Sequence, residues 1–179
     1  TGGNHSFTNK ETEILYSSKA PMTRPANAES HKSGEGWQVV QKHGQKIFVC
    51  SILGQTVGVQ RIETSNPLHK IEEVLEGLDE DIVIKIVNFH GDYSSEKRVF
   101  GYYLDGRVSA VIGDHWHVPT ADAMILPGGT AHISDVGMCG ALHSSLGVKT
   151  SVIVDRWKDN KQVKNELETE GPMQFNALI

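Results

Sequence analysis

The stretch IVIKIVNF at residues 82–89 decides the fold, because this β-branched, apolar run ends abruptly at His90 and Gly91. Continuous apolar runs of this length are typical of strands that are buried on both faces, as in parallel sheets. A second run, VSAVI at residues 108–112, ends in a similar way at the segment GDHWH, residues 113–117. The two runs therefore predict buried strands that both lead into a glycine and a histidine.

Other segments add helices and strands around these two runs. Helical spacing of apolar residues predicts helices over residues 8–16, 67–77 and 94–104. Enrichment in β-branched and aromatic residues predicts further strands at residues 38–41, 46–52, 123–126, 130–134 and 151–156. The pair His43 and Gly44, between the first two of these strands, predicts a hairpin turn. Strands and helices mix throughout, so we expect a single domain over residues 1–179, of the α/β (α+β) class.

Composition limits the classes of function. The 179 residues carry a net charge of −5 with the nine histidines counted as neutral. Because binding to a phosphate backbone usually needs a basic patch, we expect no stable nucleic-acid binding. No apolar run approaches the roughly 20 residues of a spanning helix, so we expect no membrane association. Two isolated cysteines, Cys50 and Cys139, are predicted to be buried, reduced residues, which indicates a cytoplasmic protein.

Histidines follow three predicted strand ends. His90 follows the first buried run, His115 and His117 follow the second, and Asn4-His5 follows two glycines that resemble the end of an earlier strand. The carboxyl ends of strands in layered α/β sheets form one rim, so we expect these side chains to gather there. In an extended segment, residues two apart point the same way, which lets two imidazoles converge on one metal ion or on two adjacent ions. Taken singly, each of these signals also fits an ordinary loop, turn or core residue.

Three aspartates lie near the histidines in sequence. Asp92, Asp114 and Asp135 are candidates for carboxylate partners of metal-binding imidazoles, which commonly need such a partner on the second ring nitrogen. A turn or helix-cap role is the alternative for each of them.

The order of these motifs resembles that of the calcineurin-like metallophosphoesterases. That superfamily has Gly-Asn-His, then a lone histidine after a strand, then Gly-His-x-His, as in segments 3–5, 90 and 113–117 of this sequence. The extra residue in the last motif is similar to the YmdB-like branch of the superfamily, and so are segments 24–27, 88–91, 95–97, 105–111, 120–122 and 134–138. The resemblance covers nearly the whole chain. It implies the four-layer αββα sandwich of the metallophosphoesterase type, here without its first strands.

The resemblance also implies a role for each motif residue. Asn4, His90 and His115 would be ligands of one metal ion, His117 would be a ligand of another, and His5 would be the general acid that protonates the leaving oxygen. Two divalent ions are implied, with iron or manganese favoured and zinc as the other choice, since the ligands are nitrogen and oxygen atoms. The implied reaction is hydrolysis of a small phosphodiester such as a 2′,3′-cyclic nucleotide. Homo-oligomer formation is left open.

Two motifs of the superfamily have no counterpart in this sequence. One is a strand that ends in Gly-Asp, and the other is a Glu-Asn pair whose glutamate bridges the two metals; both would precede Thr1. They correspond to two βα units, or about 60 residues. We therefore expect the chain to match the C-terminal two-thirds of such a protein and to be a weak catalyst by itself. Two alternatives remain: a regulatory or interaction module that binds one metal or none, and a hydrolase with a single histidine-bound metal.

Overall fold

The fold is built on one large sheet, seen in a computed structural model that describes residues 2–7, 10–17, 20–28, 33–57, 62–160 and 162–178. Six strands form it: β1 (Trp37–Lys42), β2 (Gln45–Leu53), β3 (Ile84–His90), β4 (Ala110–Asp114), β5 (Met124–Ile125) and β6 (Ala131–Ile133). Their order across the sheet is β1-β2-β3-β4-β6-β5. The four inner strands are parallel, and β1 and β5 pair antiparallel at the two edges.

Four α-helices and a second, small sheet complete the described structure. The helices are α1 (Lys10–Ser17), α2 (Pro67–Glu76), α3 (Ser94–Tyr103) and α4 (Thr150–Asp159), preceded by a 3-10 turn at Asn4–Phe7. The small sheet pairs β7 (Gly140–Ala141) antiparallel with β8 (Met173–Gln174). The predicted α/β class is confirmed. None of the helices in the described ranges is long and apolar enough to cross a bilayer.

The hydrophobic core lies between the parallel strands and helices α2 and α3. Strands β2 and β3 contribute fully buried aromatic residues, Phe48 and Phe89, and α2 and α3 contribute Ile71 and Phe100. The rings of Phe89 and Phe100 stack with their centroids 4.4 Å apart. Burial of each of these side chains stabilises the fold by about 1.5–3 kcal/mol. The contact therefore fixes α3 against β3.

Local sequence signals predict several elements correctly. The predicted hairpin is confirmed: Lys42 pairs with Gln45, and both turn residues, His43 and Gly44, have positive φ values of 51° and 80°. Such a two-residue turn matches the twist of the strands it joins. Helix α2 begins at the predicted proline, and the side chain of Asn66 caps it by accepting hydrogen bonds from the backbone N–H groups of Leu68 and His69.

The predicted strand at residues 151–156 is wrong, because these residues lie within helix α4. The β-branched residues favour a strand, but the half-buried positions Val152, Ile153 and Arg156 recur at helical spacing. Cys50 is buried as predicted, whereas Cys139 is exposed. The first two residues of the predicted helix at 8–16 lie outside the described residues.

Candidate metal centre

The parallel register brings the predicted site residues to one rim of the sheet. His90 is the last residue of β3, and its Cα partner on β4 is Asp114, directly before His115. The N-terminal segment reaches the same rim because the hydroxyl of Ser51 on β2 donates a hydrogen bond to the carbonyl of Gly2, at 2.8 Å. The strand ends therefore gather these residues as predicted.

A glycine allows the N-terminal segment to approach His90 closely. A Cβ atom on Gly3 would lie 2.5 Å from Cε1 of the His90 ring, which is closer than real Cβ atoms approach a neighbour. Any side chain at this position would displace the ring or the backbone. The Gly-Asn-His sequence therefore serves to place Asn4 beside His90.

Three side chains form a compact group, called here the three-residue cluster: Asn4, His90 and His115. Nε2 of His90 lies 2.8 Å from Oδ1 of Asn4 and 3.0 Å from Nδ1 of His115. On the other side of the ring, Nδ1 of His90 lies 2.8 Å from Oδ1 of Asp114. Asn4 and His90 are buried, with 6% and 8% of their surface exposed. The Asp114 carboxylate therefore holds the His90 ring on the side that faces away from Asn4 and His115.

The hydrogen-bond chemistry of the cluster fits a bound cation. A carboxylate only accepts, so Nδ1 of His90 carries the proton and donates to Asp114, which leaves a lone pair on Nε2. With the amide oriented in this way, Oδ1 of Asn4 is also an acceptor, and two acceptors 2.8 Å apart repel each other. A shared cation removes this repulsion, as does a second proton on His90. Ligands bound at right angles about 2.1 Å from one ion stand about 3.0 Å apart, which matches the observed spacing.

The Asn4 amide offers a third possible donor beside the two histidines of the cluster. Within the described ranges, no group of three or more His, Cys, Asp or Glu side chains is arranged to hold a metal ion. A three-donor site at the rim would therefore include the Asn4 amide. The assignment of Asn4, His90 and His115 as ligands stays a prediction that their geometry fits.

The segment that carries His115 and His117 is not extended. Their φ values are 113° and 66°, in a region that non-glycine residues rarely adopt. The expectation that an extended backbone points both rings the same way is therefore wrong. Each such residue costs about 1–3 kcal/mol and persists only where its surroundings impose it. Strained residues of this kind concentrate at functional sites.

His115 and His117 differ in their surroundings. Nε2 of His115 lies 3.6 Å from Oδ1 of Asp92. Burial, and then the neighbouring His90, lower the pKa of His115 and favour the neutral imidazole that binds metals. The His117 side chain is exposed, and its carbonyl accepts a hydrogen bond from the backbone N–H of Met138 at 3.0 Å. The ligand role of His117 stays a prediction, and so does the proton-donor role of His5, an exposed residue in the 3-10 turn.

Lys97 is a buried residue behind the cluster that sequence reasoning did not single out. Its side chain is fully buried, and Nζ donates to the carbonyls of Asp114 (2.6 Å) and Ser134 (2.8 Å) and to Oδ2 of Asp135 (3.1 Å). Burial lowers the pKa of Lys97, and the charge of Asp135 opposes that shift. Helical spacing indicates that Lys97 is buried, because it lies three residues before the core residue Phe100 on the same helix face.

Of the three candidate aspartates, two contact a cluster histidine. Asp114 is bonded to His90, and Asp92 lies near His115. Asp135 instead accepts from the backbone N–H groups of Trp116 (2.7 Å) and Gly137 (2.9 Å), in addition to its ion pair with Lys97. It therefore fixes the backbone of the histidine segment without contacting its imidazoles.

Asp122 links the loop that contains Thr120 to Ser134, the residue after β6, through hydrogen bonds. Burial alone would raise the pKa of Asp122, but hydrogen bonds from the Ser134 and Thr120 hydroxyls and the Ser134 backbone N–H outweigh it and lower the pKa to about 2. The Thr120 hydroxyl in turn accepts from the backbone N–H of Asp135 at 2.9 Å. The loop and the ion pair of Lys97 thus form one connected network.

This fold and rim define an α/β protein with a polar, histidine-bearing site at the ends of its parallel strands. A family model described as "YmdB-like protein" matches residues 1–179. The chain is 36% identical over 179 residues to a protein of Bacillus subtilis (strain 168) named 2′,3′-cyclic-nucleotide 2′-phosphodiesterase. That alignment covers 100% of this chain and 66% of the relative. The chain belongs to the YmdB-like family.

Two solved structures share the fold. A hypothetical protein from Thermus thermophilus superposes with a TM-score of 0.83 at 31% identity, over 94% of this chain and 64% of that one. A structure described as a novel phosphatase, from Mycoplasma pneumoniae, gives 0.81 at 31% identity, over 93% and 60% of the two chains. The chain thus spans less than two thirds of the length of these relatives.

Proposed function

We propose that this chain supplies the histidine side of the metal centre of a phosphodiesterase. One observation carries the proposal: Nε2 of His90 lies in contact with both Oδ1 of Asn4 and Nδ1 of His115, while Asp114 engages the opposite ring nitrogen. Membership of the YmdB-like family supports the same assignment. The name of the Bacillus subtilis relative supports 2′,3′-cyclic nucleotides as the substrate class.

The proposed ligands divide between two ions. Asn4, His90 and His115 hold the first divalent ion, and His117 contributes to the second, with iron or manganese favoured over zinc. Bound ions of this kind offset the negative charge of a phosphodiester and stabilise its attacking and leaving oxygens. Asp114 holds the His90 ring in the tautomer whose Nε2 is free to bind.

His5 is the proposed proton donor. It follows Asn4 directly in the 3-10 turn, so it lies beside the three-residue cluster while its side chain remains exposed. Histidine is the side chain best suited to donate a proton near neutral pH. In this proposal the imidazole delivers its proton to the oxygen that leaves the phosphorus atom.

The charge of the proposed ligand set limits what this chain does alone. Three imidazoles and one amide are neutral, so they do little to offset two divalent ions about 4 Å apart, whose repulsion is large in a partly dry site. We expect the three-residue cluster to bind the first ion, and the second ion to bind weakly. We also expect the 179-residue chain to hydrolyse phosphodiesters slowly.

Metal analysis of purified variants tests the proposal. The chain is loaded with Mn²⁺, its metal content is measured, and hydrolysis of 2′,3′-cyclic AMP and bis-p-nitrophenyl phosphate is followed. His90→Ala removes the central ligand, so we expect it to lose most of the bound metal and the hydrolysis that depends on it. His69→Ala, which removes an exposed histidine of α2, is the matched control. Equal metal content in both variants would contradict the proposed site.

The metal stoichiometry also separates the alternatives. At saturating Mn²⁺, where a weakly bound second ion would also be present, one ion per chain with hydrolysis supports a mononuclear hydrolase. An absence of both metal and hydrolysis supports a regulatory or interaction module. Two ions with hydrolysis support the dinuclear centre proposed here.

A further inference from the structure

The short segment that carries His115 is held by several contacts of its next residue, Trp116. The ring of Trp116 lies over Nζ of Lys97 at 4.2 Å from the centroid, and its indole N–H donates to the carbonyl of Asp92 at 3.0 Å. Its backbone N–H donates to Oδ2 of Asp135 at 2.7 Å. Trp116 therefore has its ring face, its indole nitrogen and its backbone all engaged.

Lys97 is the common member of these contacts. Its ammonium group binds the Asp114 carbonyl before His115, the Asp135 carboxylate that holds the Trp116 backbone, and the Trp116 ring. An ammonium group has three N–H donors, and three oxygen atoms accept from this one. All of its hydrogen-bonding capacity is thus directed at Asp114, Ser134 and Asp135.

From these contacts we infer that Lys97 is a positioning residue for the metal centre, which holds the segment 114–117 so that His115 meets His90. The side chain has 0% exposure, so it does not reach a substrate and acts only through its neighbours. The strained backbone of His115 requires such surroundings to persist. The inference rests on the proposed function only in taking His115 to be a metal ligand.

Lys97→Met tests the inference, since it keeps the length of the side chain and removes the charge. The first readout is hydrogen exchange, by NMR, of the Trp116 and Gly137 amides, which both donate to Asp135. We expect their exchange to become at least about tenfold faster, while Mn²⁺ affinity falls about 10–100-fold, as for other residues that orient ligands. Exchange of the core amides of β2 should change less than that of these two.

Two controls separate positioning from general stability. Phe100→Leu weakens the core on the same helix face and should lower the melting temperature without selectively exposing the two amides. Arg107→Met removes another cation, which pairs with Glu72 and lies over the Tyr103 ring, but contacts none of residues 114–117. It should leave exchange and metal affinity unchanged.

A second variant covers the case in which Lys97→Met does not fold. Lys97→Gln removes the charge but keeps an N–H donor in the buried position, so it should be better tolerated and should still speed exchange of the Trp116 and Gly137 amides. The inference is wrong if a folded Lys97→Met protein keeps wild-type exchange at both amides and wild-type Mn²⁺ affinity. If the wild-type chain binds no Mn²⁺, the proposed function fails, while the exchange measurement still decides whether Lys97 holds the segment.

Discussion

The inner and outer residues of the rim differ in how firmly the protein holds them. His90 and Asn4 are buried, and both ring nitrogens of His90 are engaged by neighbours. His5 and His117, which lie one and two residues from Asn4 and His115 in sequence, have exposed side chains. The difference indicates a division of roles: inner residues are fixed before a ligand arrives, whereas outer residues remain accessible to solvent and substrate. Two predictions test this division and a third concerns the interior; they follow in order of decreasing effect.

The largest effect is expected at His5. If the outer residues act on the substrate, His5→Ala should lower turnover by about 10²–10⁴-fold, the usual contribution of a general acid. Metal content should remain near that of the wild type, because the inner ligands are intact. Both quantities are measured on Mn²⁺-loaded protein. A loss of metal would make His5 a ligand, and unchanged turnover would remove it from the mechanism.

A smaller effect, on Mn²⁺ affinity, is expected when the carboxylate that contacts His90 is removed. Asp114→Ala removes the carboxylate that orients His90, and should weaken Mn²⁺ binding about 10–100-fold, as measured by titration calorimetry. The Asp114 backbone carbonyl that binds Lys97 is retained. Asp155→Ala, on an exposed position of α4, is the control and should bind Mn²⁺ normally. Wild-type affinity in Asp114→Ala would show that the inner residues are not pre-oriented in this way.

The smallest effect concerns a buried histidine of the interior. His132 in β6 has 1% exposure, and neither ring nitrogen has a partner in hydrogen-bonding geometry, although the Val111 backbone lies alongside on β4. Burial, followed by the positive charge of Arg98, lowers the pKa of His132, and the charge of Asp122 only partly opposes the shift. The folded protein therefore favours the neutral ring.

The sign of the pH effect follows from that shift. The unfolded chain binds a proton at His132 near its ordinary pKa of 6.5, whereas the folded chain binds it only at lower pH. The stabilising contribution is thus complete above pH 6.5 and is lost as the pH falls below it. We expect the free energy of unfolding of the wild type to fall more steeply between about pH 7 and pH 5 than that of His132→Met. Urea titrations at both pH values measure the difference, and parallel behaviour of the two proteins would refute it.

The sequence predicted the parts of the fold that bury apolar surface. The runs at 82–89 and 108–112 became the neighbouring parallel strands β3 and β4, because burial on both faces leaves a clear apolar pattern. Helix α4 was missed because it contains no fully buried residue, so its β-branched side chains outweighed a weak helical pattern.

The candidate site was predictable only in part. Motif order identified Asn4, His90 and His115, which the structure brings together. The contacts of Lys97 join residues 17, 37 and 38 positions away, and such pairings leave no local pattern. The positive φ of His115 could not be predicted from the sequence either, since it depends on those distant contacts.

Nε2 of His90 and Oδ1 of Asn4 lie 2.8 Å apart, although the two residues are 86 positions apart in the chain. Closing a flexible loop of that length costs about 4 kcal/mol of chain entropy, which is more than even a favourable hydrogen bond, at about 1 kcal/mol, would offset. The contact therefore does not close the loop by itself. It forms because the parallel strands have already brought His90 to the rim, and because Ser51 holds the backbone of Gly2 nearby. We therefore expect the metal-binding geometry to form only once the sheet that supports it is in place.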